Sequence, residues 1–212
     1  MIAELHGVQK RFKGKRVLED INLTINENEI VGIVGGNGSG KTTILRLLAG
    51  LMYADRGDVI VHGKKIKKGQ FPGNIGLLIE TPRFIERLSG YENLQMLAKL
   101  KGEIGEAEIR STMEKFKLDP HLKDAVKTYS LGMNQRLGLV QVFMEKPKLL
   151  LLDEPTNALD EDSKKRFEEM IFEARQQGAG IALVSHNKEE IKRLCDRVYM
   201  LEEGVLKEVQ PV

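Results

Sequence analysis

Residues 30–42 read Ile30-Val31-Gly32-Ile33-Val34-Gly35-Gly36-Asn37-Gly38-Ser39-Gly40-Lys41-Thr42. The first five form a continuous apolar run, the pattern of a strand buried on both faces of a parallel sheet. The next eight match G-x-x-x-x-G-K-[ST], in which glycine backbone amides converge on an anion without Cβ obstruction. A helix is expected over 43–51, with its N-terminus pointing at the same spot. In such a cradle Lys41 reaches the β- and γ-phosphates and the Thr42 hydroxyl suits Mg²⁺. Thr43 is placed to donate to the α-phosphate. Glycine makes up 21 of the 212 residues. Even so, a chance match to the whole pattern is on the order of one per cent, and the strand-before, helix-after context lowers it.

Working outward, Leu149-Leu150-Leu151-Leu152, Ile181-Ala182-Leu183-Val184 and residues 75–79 (broken by Gly76) are further apolar runs of strand length. Residues 21–25 alternate apolar with polar, as a half-buried strand does. A helical pattern at 164–176, ending near Gly178, completes an α/β alternation. The middle differs. Residues 91–101, 105–117 and 131–144 carry helical periodicity with no strand between them, and Ser89-Gly90-Tyr91-Glu92 has the form of a capping box. We expect one domain, with an α/β core at 1–82 and 146–212 and an inserted helical lobe at 83–145.

Two acids end the leucine run at 149–152, Asp153 and Glu154. Neighbouring strand residues face opposite ways, so the pair is expected in two different environments. Ligands in parallel sheets bind at the carboxyl ends of strands, which suits Asp153 to the Mg²⁺ shell and Glu154 to an attacking water. Alone, such acids are more often a turn or a cap; the phosphate loop about 110 residues upstream favours the catalytic reading. His186 ends the 181–184 run on that same edge. It is expected to bond the γ-phosphate and hold water and Glu154 in register.

Composition narrows the classes. The chain is 41% hydrophobic and 30% charged, which excludes disorder as the main state. Lys plus Arg total 33 against 31 acids; that balance argues against a dedicated nucleic-acid binder. No apolar run approaches the roughly 18–20 residues of a membrane span, and Met1-Ile2-Ala3-Glu4-Leu5-His6 lacks a signal-peptide pattern. One cysteine, Cys195, excludes an internal disulfide framework. It adjoins Leu194 on an apolar helical face and is expected in the core. His6, His62 and His121 show no metal-ligand spacing, and Lys64, Lys65, Lys67 and Lys68 read as a solvated hairpin. A cytoplasmic location is expected.

Tyr129-Ser130-Leu131-Gly132-Met133-Asn134-Gln135-Arg136 sets a serine and a glycine at the start of an apolar helix, either a simple cap or a second anion site. Just ahead of the Asp153-Glu154 run, it resembles the signature motif of the ATP-binding cassette (ABC) ATPases. The whole chain is similar to the nucleotide-binding subunit of a bacterial ABC transporter, in the family's order of motifs. The resemblance implies a P-loop NTPase fold, with a mostly parallel central sheet, an N-terminal antiparallel β part and the helical lobe. It implies ATP and Mg²⁺ as cofactors, Phe12 stacking on adenine, and residues 35–43 as the phosphate loop. It implies Glu80 at the Q-loop position, Asp153 and Glu154 as metal ligand and catalytic glutamate, Asp160 in the D-loop, and His186 as the switch histidine. Ser130, Leu131, Gly132 and Met133 would act in trans, completing the site of a second copy in an ATP-bound homodimer. An integral membrane permease would hold the protein on the inner face of the membrane without insertion or nucleic acid.

Several positions depart from the family pattern. Gly36 stands where proline is common, Leu131 where the first signature glycine is usual, and Met133 where the motif ends in glutamine. Glu80 replaces glutamine with a charged acceptor that cannot donate. Glutamate there and the Tyr-Ser-x-Gly-Met sequence resemble bacterial ATPases of peptide-antibiotic export or immunity. Nothing catalytic is missing, so hydrolysis is expected. The alternative is a stand-alone soluble ABC ATPase, whose usual coiled-coil insertion or second cassette is absent here. A small kinase or GTPase would leave 129–136 without a reason. Thr81-Pro82-Arg83-Phe84-Ile85 is either a membrane-subunit contact or an exposed loop with Phe84 turned inward, and both readings stay open.

Overall fold

The computed structural model describes residues 1–210. Its first compact unit holds Met1–Ile79, Lys148–Glu154 and the described residues from Arg175. Strands β1 (Ala3–Phe12), β2 (Lys15–Ile25), β3 (Ile30–Val34), β4 (Arg56–Val61), β5 (Lys64–Lys65) and β6 (Ile75–Leu78) belong to it, as do β7 (Leu149–Asp153), β8 (Gly180–Val184), β9 (Arg197–Glu202) and β10 (Val205–Val209). Helices α1 (Lys41–Leu48) and α6 (Lys188–Leu194) complete it.

One antiparallel sheet runs β2-β1-β4-β5, and a second runs β10-β9-β3-β8-β7-β6 with only β10 antiparallel to its neighbour. Strand alternation divides the leucine-rich strands cleanly. Leu149, Leu151, Ala182, Val184, Val31 and Ile33 face the cluster built by α1 and the antiparallel sheet, and their neighbours Leu150, Leu152, Ile181 and Leu183 are buried on the opposite face. On that opposite face a Cβ at Gly32 would lie 2.9 Å from Cys195 Sγ, so α6 approaches β3 closely. Cys195 is buried, and burial pushes its thiol up to about 12.

Gly180 opens β8 where a Cβ would lie 2.5 Å from Ile2 Cγ2 and 2.6 Å from Asn26 O, a backbone atom with little room to move. Gly180→Ala is expected to cost about 2 kcal/mol through overpacking, lowering the melting temperature by about 4–8 °C. An unchanged thermal transition would show that Ile2 and Asn26 are not clamped against the start of β8.

The second unit, Glu80–Pro147 and Pro155–Ala174, is helical: α2 (Gly90–Lys101), α3 (Glu106–Lys115), a 3-10 turn (Val126–Thr128), α4 (Leu131–Phe143) and most of α5 (Glu161–Gln176). Ser89 Oγ accepts from Glu92 N at 3.3 Å while Ser89 N donates to Glu92 Oε2 at 2.7 Å, the reciprocal capping box expected from the sequence. Gly102 ends α2 in the left-handed region, with φ of 70°. Phe143 joins the helices, its ring 5.9 Å from Phe116 and 6.4 Å from Phe167. Among the described residues no helix is long and apolar enough to cross a membrane.

Candidate active site

The loop 35–40 leaves β3 and enters α1 through Gly40, which caps the helix in the left-handed region and offers no side-chain acceptor. The first amides of α1 therefore lack a side-chain cap and are free to donate to an anion. Gly35 holds φ of 152°, and a Cβ there would lie 2.3 Å from Leu201 O; only glycine lets β9 and the loop meet so closely. Ser39 Oγ is buried with no hydrogen-bond partner, a donor left over for a ligand. Asn37 and Gly38 are exposed at the tip, and Thr43 is half-buried on the first turn.

Lys41 opens the helix and is only 7% exposed. Its ammonium donates to Gly35 O at 2.8 Å and Gly36 O at 2.9 Å. Burial holds its pKa below the ordinary lysine value, against the opposing pull of Asp153 and Glu154. The charge is thus pinned at the mouth of the loop and incompletely compensated.

Thr42 Oγ1 donates to Asp153 Oδ2 at 2.5 Å, joining α1 to the end of β7 across 111 positions of chain. A hydroxyl and a carboxylate meeting this closely form an oxygen pair suited to a hard divalent cation. Among the described residues no group of three or more His, Cys, Asp or Glu could hold a metal. Mg²⁺ needs no such cage, because it is commonly bound by one or two protein oxygens and substrate phosphates.

Glu154 has left the strand. Its φ is 49°, a left-handed conformation rare for glutamate, and its N–H donates to Val184 O at 2.9 Å. That turn separates the two acids: Asp153 meets Thr42, and Glu154 meets His186, with Oε1 3.4 Å from Nε2. Glu154 Oε1 is buried without a hydrogen-bond partner. Burial pushes the carboxyl above the usual range; the charges of Asp153 and Glu190 add to this, while His186 opposes it. A partly desolvated carboxylate beside an imidazole is a competent proton acceptor. His186 remains half exposed.

Lys41, Thr42, Asp153, Glu154 and His186 therefore converge in the first unit. Phe12 lies at the tip of the β1–β2 hairpin, 41% exposed, with Lys10 Nζ 5.6 Å from its ring centroid. The remaining positions belong to the second unit. Glu80 is exposed with φ of 61°. Ser130 caps α4, its hydroxyl accepting from Met133 N at 3.2 Å, and Leu131 is 63% exposed beside it. A Cβ at Gly132 would touch Ala158 O at 3.0 Å. Gln135 donates to Pro155 O at 2.9 Å, so the start of α4 and the segment 155–160 pack as neighbours. Asp160 Oδ1 accepts from Ser163 N at 2.8 Å and caps the start of α5.

Sequence reading passed over Glu190. It is 3% exposed, its Oε2 is buried without a partner, and its charge raises Glu154. Its spacing four residues beyond His186 is the one available signal, and Glu189 beside it shares the same chemistry.

Residues 18–157 match the ABC transporter family. The chain is 38% identical over 214 residues to YhcH of Bacillus subtilis, an uncharacterized ABC transporter ATP-binding protein, covering 100% of this chain and 70% of that one. It is 34% identical to the bacitracin transport ATP-binding protein BcrA of Enterococcus faecalis, covering 98% and 68%. It is 32% identical to the lantibiotic transport ATP-binding protein SrtF of Streptococcus pyogenes, covering 95% and 87%. Among solved structures, an ATP-binding subunit of an ABC transporter superposes with a TM-score of 0.90 at 28% identity, over 99% of this chain and 90% of that one. The ATP-binding cassette MJ0796, dimeric and bound to ADP and Pi after hydrolysis, superposes with a TM-score of 0.87 at 21% identity, over 99% of each; at that identity the likeness speaks to fold.

Proposed function

The chain belongs to the ABC transporter family as an ATP-binding, ATP-hydrolysing subunit, and from that premise we propose that it powers a separate membrane permease by closing in pairs around ATP. The observation that carries the catalytic part is the division of labour at the end of β7: Asp153 on the Thr42 hydroxyl at 2.5 Å, Glu154 on His186 at 3.4 Å.

The triphosphate enters the loop 35–40, where backbone amides and Ser39 Oγ donate to its oxygens and Lys41 gives the β- and γ-phosphates a fixed positive charge. Phe12, exposed at its hairpin tip, supplies a ring for the adenine. Thr42 and Asp153 would hold Mg²⁺, which would supply charge neutralisation on the phosphate oxygens. Glu154 takes the proton of a water as its oxygen bonds the γ-phosphorus in line. The bond from that phosphorus to the β,γ-bridging oxygen breaks, and ADP and phosphate leave. His186 donates to the γ-phosphate and keeps the water against Glu154. Ser130, Gly132 and Met133 close over the γ-phosphate of the second copy, in a two-fold pair.

Permease docking is proposed for the second unit. A concavity of about 460 Å³ lies there between residues 82–86 and the Lys127–Tyr129 turn. Its rim is stiff: Asn93 grips Ile85 through both backbone groups at 2.8 and 3.2 Å, and Asn134 donates to Pro82 O at 2.9 Å. The relatives named for bacitracin and lantibiotic transport support a peptide antibiotic as the cargo of that permease. The protein would then sit peripherally on the cytoplasmic face of the membrane. Purification from native cells in mild detergent tests this. A polytopic membrane protein is expected to co-purify, and a partner recovered only from the soluble fraction would leave the ATPase standing and remove the transporter.

A further inference from the structure

We propose that the first unit carries a second small-molecule site beside the nucleotide site, built for a compact amphiphilic carboxylate that lowers ATP turnover. A cavity of about 300 Å³ opens where the end of β3, the start of α6 and the strands β9 and β10 meet. Protein interiors leave few voids larger than a water, and this volume reaches the range of ligand pockets. At water's ~30 Å³ per molecule it holds about ten non-hydrogen atoms.

Its walls are Val34, Ile191, Val198, Met200 and Val209, a lining that favours a hydrocarbon body. Its polar side chains are Ser185, which is 2% exposed, His186 and Lys188 around the start of α6, and Gln210 just past the end of β10. Lys188 is exposed and makes no ion pair among the described residues. Among the described residues no carboxylate lines the cavity. An apolar body with one anionic end therefore matches the walls and the Lys188 side at once, and a cation of the same shape does not.

The cavity shares three residues with the nucleotide site. Gly35 and Gly36 line it, and their carbonyls fix the Lys41 ammonium. His186 lines it too, and its imidazole stands 3.4 Å from Glu154. A carboxylate at the Lys188 side competes with Glu154 for that imidazole, so occupancy suppresses hydrolysis. This last step rests on the role proposed for His186; binding itself does not.

Octanoate, with ten non-hydrogen atoms, is the probe. Titrated into the ATP-free protein and followed by methyl NMR, it is expected to bind saturably in the millimolar range and shift the Val198 and Val209 methyls. Met200→Trp fills the cavity from its partly exposed rim and is expected to abolish the shifts; Val209→Phe does the same from the end of β10. Lys188→Ala is expected to weaken binding about fivefold, and octylamine, the cation of equal length, to leave the methyls unmoved. Saturating octanoate should slow ATP turnover at least about threefold in the parent and not in Met200→Trp. Absent saturation, equal binding to the filled variants, or equal binding of octylamine would overturn the site. Binding without any change in turnover would overturn the regulatory step, and a protein that binds octanoate but never hydrolyses ATP would instead remove the catalytic reading.

Discussion

Glu154→Gln stops ATP turnover almost completely, with an expected loss of about 10²–10⁴-fold, and at the same time stabilises the fold. Both effects come from one geometry. The carboxylate sits past the end of β7 in a left-handed conformation, with Oε1 buried without a hydrogen-bond partner and 3.4 Å from His186 Nε2. Glutamine keeps the shape and loses the proton acceptor, so ATP and its fixed phosphates stay bound while the water is no longer activated. Paired, ATP-bound protein then accumulates, visible as a doubled mass by light scattering only when ATP is present.

The stability effect has a definite pH window. Burial raises the Glu154 pKa above its unfolded value. Folding therefore favours the protonated acid, and that contribution is complete below the unfolded pKa and is lost as pH rises through the folded one. At neutral pH the parent carries the full cost of an ionised, partly desolvated carboxylate, whereas Glu154→Gln carries none. The variant should melt above the parent near pH 7.5, and the gap should close toward pH 4. A variant that melts lower at neutral pH, or hydrolyses ATP at the parent's rate, would remove Glu154 from the role proposed for it.

How much of this was legible in the sequence depended on the length scale of each signal. Strands β3, β7 and β8 were readable because both faces are buried, which leaves four or five consecutive apolar residues and no alternation to misread. The 89–92 capping box was readable because its partners lie three residues apart. Strand β1 was not: its burial is uneven, it is interrupted by register shifts, and Gly7 inside it has φ of 58°. Helix α6 spans seven residues, too short for a period of 3.6 to declare itself. Strands β9 and β10 end the chain with mixed polarity, and β10 has no fully buried residue.

The site divided along the same line. Each loop residue was locatable by spacing, because the phosphate cradle is one continuous turn. The convergence of Asp153 on Thr42 follows from the sheet order, which sets the ends of β3, β8 and β7 side by side. The left-handed turn at Glu154 and the burial of Glu190 carry no local signature; both are imposed by neighbours far away in sequence. Likewise residues 155–174 group with the helices through contacts such as Phe143 on Phe167, which no window of sequence contains.

Lys41→Met is expected to weaken ATP binding about 100-fold, the loss of roughly 2.7 kcal/mol that two charge-assisted contacts to phosphate supply. Methionine keeps the aliphatic stem that is buried at the start of α1, and water can replace the ammonium beside Gly36, an exposed residue. Because burial already lowers the Lys41 pKa, its charge costs the folded state stability as pH falls through the unfolded value. The variant should therefore melt within about 2 °C of the parent at neutral pH. In the parent, incoming phosphates restore the Lys41 pKa, so ATP affinity should fall, and proton uptake on binding rise, as pH climbs toward the lowered value. Isothermal titration in two buffers of different ionisation enthalpy reads that uptake. The same variant tests the proposed pair. Ser130→Arg blocks the cap offered to a second copy but leaves its own loop intact. Each variant alone should be inactive. Mixed one to one, half of the pairs are hetero-pairs with one competent site each, so about a quarter of the parent's turnover should return. No recovery from two folded, inactive variants would mean that Ser130 does not complete the site of its neighbour.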